Sequence, residues 1–142
     1  VFTGKQIFVK LGESLVINMD KQPVEVTFTK LHFENSVGYA RPTAGYKFAV
    51  IDVRYRNLGN VEIVAFSMYN KPPELKVSTG YVYRLNYLAS NWGGYASGFM
   101  LKPGTTVAGY MSFEIPADAT PTEMYIAADE FWNLPQIILK FG

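Results

Sequence analysis

Cysteine is absent from the 142 residues, and histidine occurs once. The first absence excludes a disulfide framework, thiol chemistry and cysteine-bound zinc; the second excludes a histidine metal cluster. Charge of one sign is also missing. Thirteen basic and twelve acidic side chains leave a formal net charge of +1, which provides no electrostatic footprint for nucleic acid. No apolar run approaches the roughly 20 residues needed to cross a bilayer as a helix. The sequence contains no Asn-x-Ser/Thr acceptor site. It also has no Gly-x-Ser-x-Gly elbow, phosphate-binding loop or His-Glu-x-x-His pair. With 18% charged and 15% aromatic residues, the composition argues against disorder. A chain of this size folds to an accessible surface of about 7,400 Å² from about 23,000 Å² unfolded, enough burial for one core without staples. We therefore expect one domain over residues 1–142. The chain opens on Val1, and lack of cysteine suits an oxidising space, but equally a cytosolic protein by chance or a heat-adapted one. We expect that a segment upstream of Val1 was removed, by a cell or by cloning, with a signal peptide or an N-terminal anchor as one candidate.

What is present is a period of two. Val24, Val26 and Phe28 alternate with polar residues, and Leu31 and Phe33 continue on the opposite parity. A bulge or change of sheet at Thr29 and Lys30 restores the facing. Residues 46–57 form the longest strand candidate. Ala49, Ile51, Val53 and Tyr55 share one face; Phe48, Val50, Asp52, Arg54 and Arg56 share the other. The second face turns charged halfway, so the first half of the strand is expected to be covered on both sides. Turn signals follow at Asn57-Leu58-Gly59-Asn60, at Thr79-Gly80 and at Lys102-Pro103-Gly104. Further strands are expected at residues 7–9, 15–19, 61–66, 75–78, 81–88, 106–115, 124–128 and 136–140. A helical turn fits residues 129–133. Nine or ten short strands separated by turns predict an all-β sandwich of two mainly antiparallel sheets. Ile51, Val53, Val107, Met111 and Phe113 are the expected core.

Three stretches carry a family resemblance: Phe48 to Asn57 with Leu58-Gly59-Asn60; Leu75 to Gly80 with Tyr81-Val82-Tyr83; and Leu101-Lys102-Pro103-Gly104 through Gly109 to Phe113-Glu114-Ile115-Pro116. Together they resemble an immunoglobulin-like, telokin-like domain of unknown function, common in exported proteins and lipoproteins of bacteria and archaea. The resemblance spans residues 46–140. It implies an immunoglobulin-like sandwich acting as an extracytoplasmic binding or structural module, with no catalytic residues to carry over. Residues 81–99 depart from it, being rich in Tyr and Gly where the family more often has a polar connection.

That stretch supplies the candidate binding surface. Trp92 and Tyr95 flank Gly93-Gly94 in an expected loop, and Tyr81, Tyr83 and Tyr87 would share one strand face. Aromatic planes at such intervals suit a glycan or a protein partner. Alternatively, the tyrosines edge the sandwich with their rings in the core. His32 has no acidic or histidine partner at ligand spacing. Asp118, Asp129 and Glu130 could hold calcium only if brought together, and they read as solvated surface. Asp52, Arg54 and Arg56 read as charges guarding a sheet edge rather than as an anion site. We expect no metal, no cofactor and no enzyme. A small carbohydrate-active enzyme using a converged carboxylate pair is the alternative.

Overall fold

The computed structural model describes residues 6–19, 21–64, 73–91, 100–126 and 135–141. In chain order the strands are β1 (Gln6–Lys10), β2 (Ser14–Met19), β3 (Gln22–Glu34), β4 (Tyr46–Asn57), β5 (Ile63–Val64), β6 (Glu74–Val77), β7 (Val82–Arg84), β8 (Met100–Leu101), β9 (Thr106–Pro116), β10 (Pro121–Ile126) and β11 (Gln136–Lys140). They form a five-stranded sheet in the order β1-β11-β10-β6-β7, a four-stranded sheet in the order β2-β3-β4-β9, and a β5-β8 ribbon. Neighbours are antiparallel except β1, which runs parallel to β11. The two sheets pack as a β-sandwich, as the alternation predicts. No helix among the described residues is long and apolar enough to cross a membrane.

Alternation explains the core. The inward set of β4 (Ala49, Ile51, Val53, Tyr55) is buried and meets Met111, Phe113 and Ile115 of β9 on its own sheet. Leu75, Met124, Ile137 and Leu139 of the other sheet close the same cluster. Val107 is a correction: it is only partly buried, because it lies near the start of β9 where the cluster thins. The β3 register shifts between Phe28 and Lys30, so Thr29 is passed over and Leu31 returns to the inward side opposite Ile51. The expected bulge is thus where the parity change placed it.

The first half of β4 is covered on both faces. Phe48 and Val50, on the outer side, form a second buried cluster with Ala89, flanked by Val37, Ala40 and Tyr110. The far end of β4 is tied by Asn57, which is fully buried. Its side-chain Nδ2 donates to the carbonyls of Val61 at 2.8 Å and Leu101 at 3.0 Å, and its Oδ1 accepts from Gly59 N at 2.8 Å. That one amide shapes the 57–60 turn and anchors the ribbon to the sheet. Gly104, at φ +75°, donates its N–H to the Asn57 carbonyl, so the expected Pro-Gly turn closes on the same residue.

Other expectations shift. The strand expected over 61–66 is Ile63–Val64 within the described residues, and β10 begins earlier than expected, at Pro121. Proline is tolerated there as the first residue of a strand. The helical turn expected at 129–133 lies outside the described residues.

Candidate functional site

Residues 81–91 link the two sheets. Gly80, at φ +91°, makes the turn after β6, and β7 returns antiparallel to it through Lys76–Val82, Leu75–Tyr83 and Glu74–Arg84. The chain then leaves that sheet. Leu85 is buried in the core cluster, and the Asn86 N–H donates to the Ser112 carbonyl of β9 at 2.8 Å. A 3-10 turn, Tyr87–Ala89, follows with Asn86 as its cap: the Asn86 Oδ1 accepts from Ala89 N at 3.2 Å. Ser90 Oγ accepts from Ser112 N at 2.9 Å, and Asn91 exchanges backbone hydrogen bonds with Tyr110 at 2.9 and 2.7 Å. The segment therefore caps part of the open edge of β9.

This path decides where the aromatic side chains go. The turn drives Ala89 into the Phe48–Val50 cluster and leaves Tyr87 65% and Leu88 92% exposed. Tyr81 precedes β7 and is 70% exposed. Tyr83 is half-buried and packs against the main core. The expected common strand face of Tyr81, Tyr83 and Tyr87 is corrected on this point: β7 stops at Arg84, and the Asn86 cap rotates Tyr87 off the strand's period. Trp92 and Tyr95 lie outside the described residues, as do Asp129 and Glu130; Asp118 is exposed.

A second cluster was missed by sequence reading. His32 Nδ1 lies 2.6 Å from Glu34 Oε2, and Nε2 lies 3.1 Å from Asp52 Oδ1. The expectation that His32 lacks an acidic partner is thereby overturned. Glu34 sits two residues on, on the same face of β3; Asp52 comes from β4, beside Lys30 in register. With an oxygen at each ring nitrogen, the arrangement is fully bonded only when both nitrogens carry protons. Partial burial pulls the His32 pKa down, but hydrogen bonds and charge from Glu34 and Asp52 outweigh it, so it lies above the usual 6.5. Among the described residues no group of three or more His, Cys, Asp or Glu side chains is placed to hold a metal ion.

The charged half of β4 also reads differently in place. β4 lies between β3 and β9, so Arg54 and Arg56 occupy an interior strand. They cannot guard an edge, and the edge-guarding reading fails because sheet order is invisible to local alternation.

Among solved structures, the chain is similar to a secreted protein of Mycobacterium tuberculosis, MPT63, at 14% identity and a TM-score of 0.69, covering 98% of this chain and 100% of that one. It is similar to an uncharacterized β-sandwich protein from Clostridium difficile 630 at 14% identity and a TM-score of 0.61, covering 100% and 98%. The yjhA protein of Bacillus subtilis matches at 17% identity and a TM-score of 0.54, covering 94% and 98%. At such identities these likenesses establish the β-sandwich fold. No curated protein matches the chain. Residues 11–137 match the family described as Domain of unknown function (DUF4352), and the chain belongs to that family.

Proposed function

We propose that this chain is a single immunoglobulin-like, non-enzymatic module that works outside the cytoplasm and engages a protein or carbohydrate partner through residues 81–91. The observation that carries the reading is the pairing of anchorage with exposure. Hydrogen bonds from Asn86, Ser90 and Asn91 hold residues 86–91 against β9 and β7 pairs with β6, while Tyr81, Tyr87 and Leu88 face solvent. Large apolar side chains exposed on an anchored backbone favour a partner that covers them, since the backbone is already ordered in the free protein. Tyr adds contact area with only two side-chain torsions to fix. The secreted neighbour from M. tuberculosis supports the location. The lack of a nucleophile motif in the sequence supports a non-enzymatic role.

A glycan array and a panel of exported proteins, probed with the wild type and with Tyr87→Ser/Leu88→Ser, test this. A partner bound by the wild type and lost by the double variant, at unchanged melting temperature, is the expected result. A partner retained by the double variant, or turnover of an offered glycan, contradicts it.

A further inference from the structure

On the outer face of the four-stranded sheet, two arginines stand over an open trough. Arg54 and Arg56 alternate on β4, so their stems leave the same face about 7 Å apart. Neither makes a hydrogen bond or ion pair among the described residues. The partner of Arg54 on β9 is Ala108, and next to it Gly109 faces Val53. The short Ala108 side chain on the outer face leaves room for a cavity of about 510 Å³ bounded by Thr29, Asp52, Arg54 and Tyr110. A smaller recess of about 210 Å³, lined by Ser14, Glu25, Thr27, Arg54, Arg56 and Thr106, adjoins it through Arg54.

We infer that this trough binds an acidic glycan chain. The guanidinium is a planar fork that matches a carboxylate with two parallel hydrogen bonds. Two unpartnered forks on one face suit a chain that repeats its carboxylates. Hydroxyls of Ser14, Thr27, Thr29 and Thr106 border the arginines and can exchange hydrogen bonds with sugar hydroxyls. Ser14 Oγ and Thr27 Oγ1 share one hydrogen bond at 2.7 Å, and each keeps capacity for another. The Tyr110 ring forms one wall and is fixed by packing against the Phe48 cluster. The Asp52 carboxylate accepts a hydrogen bond from His32 Nε2 at 3.1 Å, so one of its oxygens, Oδ1, is already engaged. Glu25, opposite Arg56 in register, is the remaining carboxylate lining the two recesses. The larger recess is largely open to solvent, which fits a chain laid across the surface. A neutral glycan would leave both guanidiniums unmatched. This surface meets residues 81–91 at Tyr110, which pairs with Asn91, but the inference does not rest on the contact reading of those residues.

Calorimetric titration of oligogalacturonate into the intact domain at low salt tests the inference. Cello-oligosaccharide serves as the uncharged comparator, and poly-L-glutamate as the anion without sugar. Binding of oligogalacturonate should exceed both and weaken as sodium chloride is raised. Arg54→Gln and Arg56→Gln should each weaken it about tenfold at unchanged melting temperature. Arg54→Lys should recover only part of the loss, because the charge stays but the fork is gone. Ala108→Trp, which fills the trough and leaves both arginines in place, should abolish binding. Tyr87→Ser/Leu88→Ser should leave it unchanged. Absence of oligogalacturonate binding overturns the inference. So does equal binding of poly-L-glutamate, or binding indifferent to both Arg→Gln changes and to Ala108→Trp.

Discussion

His32 reaches across the β3–β4 ladder to Asp52, Nε2 to Oδ1 at 3.1 Å, while its other ring nitrogen meets Glu34 at 2.6 Å. The contact joins two strands at the point where the β3 bulge shifts the register, two residues after the Phe28 to Lys30 step.

That pairing makes stability depend on pH in a definite direction. The folded-state pKa of His32 is raised above 6.5, so the folded chain holds its proton more tightly than the unfolded one. The contribution is fully present below pH 6.5 and is lost as pH rises through the raised value. His32 is partly exposed, so the effect is small, below about 1 kcal/mol. The difference in melting temperature between wild type and His32→Asn should be larger at pH 5.5 than at pH 8.5. An equal difference at both values would mean that the imidazolium pairs make no net contribution.

Asn57 should be among the most sensitive polar positions. Asn57→Ala leaves the Val61 and Leu101 carbonyls and the Gly59 N–H without their partner. Buried polar groups left unpaired should cost about 2–4 kcal/mol in a denaturant titration. A loss under about 1 kcal/mol would show that water or a rearranged turn replaces the amide.

Phe113→Ala removes a fully buried ring between the sheets, and a loss of about 3–5 kcal/mol is expected. Val107→Ala should cost clearly less, because Val107 lies only partly inside the cluster. Equal losses at the two positions would contradict the burial described.

Ser112 presents the opposite case. Its Oγ is buried with no hydrogen-bond partner among the described residues, while its backbone N–H and C=O bind Ser90 and Asn86. Ser112→Ala keeps the backbone bonds and removes the unmatched hydroxyl. Stability should be unchanged or raised by up to about 1 kcal/mol. A clear destabilisation would show that the hydroxyl is bonded in solution.

The strands were most legible where one face is apolar throughout. β4 matches its expected bounds, and the parity change at Thr29 and Lys30 located the bulge in β3. Pairing over long sequence distance was not legible. Glu34 was within reach of sequence reading, as an acid two residues from His32 on one strand face. Asp52 was not, since its place beside His32 depends on the register of β3 against β4. The same limit hid the interior position of Arg54 and Arg56. Residues 81–88 read as one strand because Tyr and Val favour strands. The cap at Asn86 and the crossing to Ser112 are set by tertiary hydrogen bonds that propensity does not encode. Tyr81 and Tyr87 are exposed, as a contact surface requires, while Tyr83 is half-buried against the core.

Amide hydrogen exchange of the free domain, and of its complex with a partner found by screening, shows whether residues 81–91 form the contact surface. Slowed exchange on binding should centre on the amides of Tyr81, Val82, Tyr87 and Leu88. Slowing confined to the β1 and β2 edges, with residues 81–91 exchanging as in the free domain, would contradict it.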